Sequence, residues 1–177
     1  IPVIYTSSIA AKPRGAAQAP ANLYGVLKKT GEEAARLWWE DHGVPSLGLR
    51  PHIVYGVGRD AGETAAITEA MRAAALGRPY RLPFATRACF QYAGDVAAMI
   101  ARAAAARWEG ARLSDLSETL ESTDDVLAAI RAAVPGAEIT ADPGMRPVPE
   151  GGYDAAPLAE VIGPLPHTPL ATGVAET

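Results

Sequence analysis

Val3-Ile4-Tyr5-Thr6-Ser7-Ser8, then Tyr24-Gly25-Val26-Leu27-Lys28 at the head of a long helical pattern, then Ser46-Leu47-Gly48-Leu49: read in order, these stretches decide the fold. Residues 2–5 are short, apolar and β-rich, the pattern of a buried parallel-type strand. Residues 10–21 carry Lys12, Pro13, Arg14, Gly15 and Pro20 and read as a loop. In residues 22–42 the apolar positions Leu23, Val26, Leu27, Ala34, Ala35, Leu37 and Trp38 recur at helical spacing, and Gly43 supplies a stop. Residues 46–49 form a second short apolar strand. Strand, loop, helix, strand is one βαβ unit, the building block of a parallel sheet.

Outward from that unit, residues 50–56 (Arg-Pro-His-Ile-Val-Tyr-Gly) form the strand exit. Residues 64–76 are an Ala-rich helix ended by Gly77, and residues 79–83 and 89–92 read as short strands. Residues 95–107 form a second Ala-rich helix and residues 112–116 a strand. Residues 122–134 form a helix capped by Ser122 or Thr123 with acids behind it and ended by Pro135-Gly136. Residues 137–140 are the last expected strand. After Asp142 proline and glycine dominate, down to a short helix around residues 156–162.

The 177 residues are the length of one ordinary domain, 49% hydrophobic and 20% charged, a globular composition. A net charge of -4 argues against a nucleic-acid partner, which asks for a basic stripe; Arg102, Arg107 and Arg112 are interrupted by Glu109 and read as a solvated helix end. The single cysteine, Cys89, fits a reducing, cytoplasmic setting and an inert buried thiol. No run is long enough to span a membrane, and no leader pattern is visible. His42, His52 and His167 have no ligand spacing, so no metal is expected.

The chemistry sits in the opening βαβ unit. Tyr24 and Lys28 stand one helical turn apart on one face. Ser7 and Ser8 close a strand, and ligands of open α/β sheets sit beyond the carboxyl ends of strands. A hydroxyl, a tyrosine and a lysine together form a proton-transfer set.

The order of motifs resembles the extended short-chain dehydrogenase/reductase family, the NAD-dependent epimerase/dehydratases. The residues that carry the resemblance are Ser7-Ser8 at a strand end and Tyr24-Gly25-Val26-Leu27-Lys28-Lys29 with Glu33 downstream. Arg50-Pro51-His52-Ile53-Val54-Tyr55-Gly56-Val57-Gly58-Arg59, the segment 90–97 and the tail 163–173 continue it. The resemblance implies an α/β fold: the C-terminal part of a Rossmann-like, doubly wound parallel sheet over residues 1–56, and a smaller α/β substrate-binding lobe over residues 57–177, parts of which return to the sheet. It implies an NAD(P)-dependent oxidoreductase or epimerase acting by hydride transfer on a sugar or other hydroxyl or keto substrate. NAD is expected ahead of NADP. Tyr24 would be the general acid/base. Lys28 would favour the phenolate and hold the nicotinamide ribose. Ser8 would hydrogen-bond the reacting oxygen, with Ser7 beside it as a cofactor-side candidate. Pro51, His52 and Val54 would line the nicotinamide end, and Ile53 and Arg87 would face substrate. Helices of this kind, here with Trp38-Trp39, often form a dimer seam in the family, so a homodimer is expected. The alternative is a non-catalytic binding or regulatory module that kept the fold.

The chain departs from the family pattern in three respects. The strand, Gly-rich turn and helix that hold the dinucleotide pyrophosphate are not in it, and about 100 residues or more are expected to precede Ile1; the beginning without methionine is read as a cut. Gly56-Val57-Gly58-Arg59-Asp60-Ala61-Gly62 imitates that turn, but its third glycine is one residue late. Ile9-Ala10 follow Ser8 where family dehydratases place an acid pair, which argues against dehydration. Ile53 stands where nucleotide-sugar members carry asparagine, and Arg87 is one residue out of register, which admits a smaller or less charged substrate.

Overall fold

A computed structural model describes residues 2–145 and 152–177. The chain divides into two compact units. The first comprises Ile1–His52, Ala97–Glu118 and Pro149–Pro166; the second comprises Ile53–Val96, Thr119–Val148 and His167–Thr177.

The first unit is built on the expected βαβ unit. Strand β1 (Val3–Thr6) leads through a 3-10 turn, Ile9–Ala11, and a loop into helix α1 (Leu23–His42), which returns to strand β2 (Ser46–Arg50). Asn22 caps α1 by accepting from the Gly25 N–H at 2.8 Å, and Gly43 ends it in the left-handed conformation at φ 63°. β1 and β2 pair in parallel, Val3 opposite Ser46 through Thr6 opposite Leu49. Strand β7 (Ala111–Asp115) adds in parallel on the other side of β2, giving the order β1-β2-β7. Gly48 lies under the Tyr5 ring and the Leu113 side chain, and any larger residue there would collide with both. Helix α5 (Ala156–Ile162) is tied to β7 by the Ser114 hydroxyl, which accepts from the Leu158 N–H at 3.0 Å.

The apolar stripe of α1 does not behave as a core stripe. Gly25 and Glu32 are its buried positions, whereas Leu23, Val26, Leu27, Leu37 and Trp38 are exposed. The helical period was therefore a true signal of helix and a misleading signal of which face is covered within this chain.

The second unit holds three strand pairs around an apolar core. Strands β3 (Ile53–Tyr55) and β6 (Phe90–Tyr92) pair in parallel, as do β4 (Tyr80–Leu82) and β9 (Ile139–Ala141); β5 (Arg87–Ala88) and β8 (Glu121–Ser122) are antiparallel. Helices α2 (Ala66–Ala75), α4 (Thr123–Ala133) and α6 (Leu170–Glu176) complete it, and Ile67, Leu82, Val126, Ile130 and Ile139 are fully buried among them. Ser122 and Asp125 form a reciprocal capping box at the start of α4. Helix α3 (Ala93–Ala105) begins in this unit and runs into the first. The Gly56–Gly62 stretch is a turn between β3 and the 3-10 turn Glu63–Ala65 that precedes α2; its three glycines take positive φ. Cys89 is buried.

Candidate active site

The carboxyl end of the parallel sheet in the first unit gathers most of the expected residues. Tyr24 lies in the first turn of α1 with its side chain in solvent, 53% exposed. One turn on, Lys28 folds back so that its Nζ lies 5.6 Å from the Tyr24 ring centroid. The same Nζ donates to the Thr6 carbonyl, the last of β1, at 2.6 Å. Lys28 thus joins the tyrosine to the strand end that leads into Ser7 and Ser8.

Ser8 leaves the strand in an extended conformation and caps the 3-10 turn, its hydroxyl accepting from the Ala10 N–H at 3.1 Å. The turn is seated on the second strand: Ser7 N–H donates to Leu49 O at 2.7 Å and Ile9 N–H to Pro51 O at 3.1 Å. Gly25 seats it on the helix, because only a residue without a Cβ can lie so close to the Ala10 carbonyl. His52 stacks on Tyr153, ring centroids 5.5 Å apart. Lys12 reaches Asp115 at the end of β7 at 2.5 Å and also lies against Tyr153.

Ser7 is engaged differently from expectation. Its buried hydroxyl donates to Glu32 Oε1 at 2.7 Å, so it faces the protein interior. Glu32 also receives a fork from Arg50, Nε to Oε1 at 2.6 Å and Nη2 to Oε2 at 2.7 Å. Burial alone would raise this carboxyl; the hydrogen bonds from Arg50 and Ser7 outweigh it and hold Glu32 below the usual carboxylate range. Burial, with the Glu32 charge nearby, pushes the Tyr5 phenol up to about 12. Glu33, the acid noted in the sequence, is on the exposed face, paired with Lys29 and Arg36. The signal for Glu32 was present: it continues the Tyr24, Lys28 spacing by four more residues.

The remaining expected residues belong to the second unit. Ile53 packs in its core at 1% exposure. Val54 is partly exposed on β3. Arg87 is exposed on β5, opposite Ser122. Among the described residues no cluster of three or more His, Cys, Asp or Glu could hold a metal ion, and no helix is long and apolar enough to cross a membrane.

The sequence model of the NAD dependent epimerase/dehydratase family matches residues 3–114, more than half of the chain and all of the βαβ unit just described. The chain belongs to that family. Solved structures carry the same fold over nearly its whole length. An L-threonine dehydrogenase from Cupriavidus necator matches at TM-score 0.83 and 22% identity, covering 99% of this chain and 63% of that one. A UDP-N-acetylglucosamine 4-epimerase from Bacillus cereus matches at 0.76 and 19%, covering 98% and 61%. A UDP-glucose 4-epimerase from Thermus thermophilus, in complex with NAD, matches at 0.73 and 20%, covering 99% and 62%. No curated protein sequence matches. The α/β architecture is therefore that of the epimerase/dehydratase family, and the chain spans less than two thirds of the length of these relatives.

Proposed function

We propose that the chain is the proton-transfer and substrate side of an NAD(P)-dependent oxidoreductase or epimerase that acts on a small molecule bearing a hydroxyl or ketone. The observation that carries this reading is the Lys28 ammonium, held between the Tyr24 ring and the Thr6 carbonyl at the carboxyl end of a parallel strand. The family match supports it.

The residues present suit the nicotinamide end of such a cofactor: an exposed phenol and an ammonium stand side by side where open α/β sheets take their ligands. When bound, the nicotinamide accepts or gives hydride. Tyr24 Oη takes the proton from the substrate hydroxyl or returns it to the carbonyl oxygen. The Lys28 Nζ favours the ionised phenol and offers donors to ribose hydroxyls. Ser8 Oγ hydrogen-bonds the reacting oxygen and fixes its direction toward Tyr24. Pro51 lies beside the turn that carries Ser8, its carbonyl accepting from the Ile9 N–H, and His52 follows it in the chain. In this reading Arg87, exposed on β5 of the second unit, is a candidate substrate contact. The similar structures include a dehydrogenase and epimerases of UDP-sugars, and the shared requirement is a hydroxyl that can become a ketone. A homodimer through α1 is consistent with the exposed Leu37 and Trp38.

The test is to purify the complete protein, determine its nicotinamide content, and offer it hydroxyl substrates from sugars to hydroxy-amino acids. Net release of reduced nicotinamide identifies a dehydrogenase. Interconversion of two stereoisomers with the cofactor retained identifies an epimerase. Cofactor binding without reduction by any substrate favours a non-catalytic module.

A further inference from the structure

We propose that Glu32 is a positioning residue for this chemistry: its carboxylate fastens the helix bearing Tyr24 and Lys28 to the ends of both strands that flank the site. This rests on the proton-transfer reading above.

Tyr24, Lys28 and Glu32 follow one another at four-residue steps and share one face of α1. Among that helix's twenty residues, the most deeply covered functional group is this carboxylate, at 2% exposure. A buried ion pair is a poor device for stability, since apolar side chains of similar size serve as well or better. The partners of Glu32 suggest another use. Both lie on strand ends: Arg50 is the last residue of β2, and Ser7 follows β1. Oε1 accepts from both the Ser7 hydroxyl and Arg50 Nε, while Oε2 accepts from Arg50 Nη2. A two-point fork of this kind fixes orientation as well as distance.

The consequences run through the backbone. Ser7 is bonded to Ser8. Arg50 is bonded to Pro51, whose carbonyl holds the Ile9 N–H. Glu32 therefore sets where Ser8 stands relative to the helix that presents Tyr24. A misplacement of about 1 Å at reacting groups lowers rate by about 10²-fold, which is the scale expected when the carboxylate is lost.

The experiment uses the complete protein with its cofactor and compares Glu32→Gln, Ser8→Ala and the double variant, with Tyr24→Phe as a control. The proposal expects Glu32→Gln to lower kcat by about 10²-fold with little change in KM or cofactor affinity. It also expects the double variant to be no slower than Ser8→Ala alone, because Glu32 acts through Ser8. Unchanged kcat in Glu32→Gln, or fully additive losses, overturns it. Arg50→Lys keeps the cation and removes only the fork, so it decides the matter should Glu32→Gln fail to fold; a wild-type kcat there overturns the proposal. If Tyr24→Phe itself retains full turnover, it is the proton-transfer reading that has failed. If Tyr24→Phe is inactive and Glu32→Gln is not impaired, the positioning role alone has failed.

Discussion

Gly25 lies so close to the Ala10 carbonyl that a Cβ on it would enter the oxygen's van der Waals shell, with the Ala10 carbonyl carbon and Pro20 Cβ each at 3.0 Å. The helix that carries Tyr24 and the turn that follows Ser8 can thus touch only because one of them has no side chain. Gly25→Ala forces them apart, and the obstacle is backbone, which cannot swing aside. Overpacking of this kind destabilises by about 1–3 kcal/mol. Chemical unfolding of the complete protein should show that loss, and turnover should fall with it. A variant as stable and as active as the parent would mean that the close approach has no role.

Lys28 should matter far more to activity than to stability. It is only partly buried, and its bond to the Thr6 carbonyl is solvent-accessible. Lys28→Ala is expected to lower turnover by about 10²- to 10⁴-fold and to weaken cofactor binding. The unfolding free energy should move by no more than about 0.5 kcal/mol. Equal losses in both would recast Lys28 as a structural residue.

Glu32 gives the protein an acid-sensitive joint. Despite burial, hydrogen bonds from Arg50 and Ser7 place its folded-state pKa below the ordinary carboxylate value. The unfolded chain then binds more protons than the folded one between those two values. The stability contributed by Glu32 is complete above the ordinary carboxylate pKa and is lost as pH falls through the folded-state value. Urea unfolding across acid pH should show this slope, and Glu32→Gln should flatten it. An unchanged slope in the variant would assign the acid sensitivity to other groups.

Glu121 in the second unit carries the opposite sign. Burial raises its pKa, only partly offset by His167, and Asp125 raises it further. The folded state therefore binds more protons than the unfolded one between the ordinary and the raised values. Its contribution to stability declines as pH rises through that interval. Glu121→Gln is expected to raise the melting temperature at neutral pH and to leave it little changed at acid pH. A lower melting temperature at neutral pH would show that the charge is needed.

What the sequence disclosed depended on whether the signal was local. Helix α1 was legible because Asn22 and Gly43 cap it and its period is long. Strands β1 and β2 were legible as apolar runs on either side of it. The two-residue strands β5 and β8 are too short to show any period, and α6 was missed because a proline-rich approach precedes a seven-residue segment containing Gly173. That glycine is required by a tertiary contact, since the Tyr55 hydroxyl fills the place of its Cβ. The candidate site divides in the same way. Spacing puts Tyr24 and Lys28 on one helix face, but their reading as a pair drew on the preceding strand end and the order of motifs. The role of Arg50 could not be read from spacing, because its partner lies on another element. Ser7 and Ile53 are buried among protein atoms, which no local pattern discloses.

The central claim is that Tyr24 moves the proton. Its most direct test is the single-turnover rate of nicotinamide reduction by substrate in the complete protein, compared between the parent and Tyr24→Phe with cofactor occupancy determined in both. The account predicts equal occupancy and a rate lower by about 10²- to 10⁴-fold. An undiminished rate in Tyr24→Phe would contradict it.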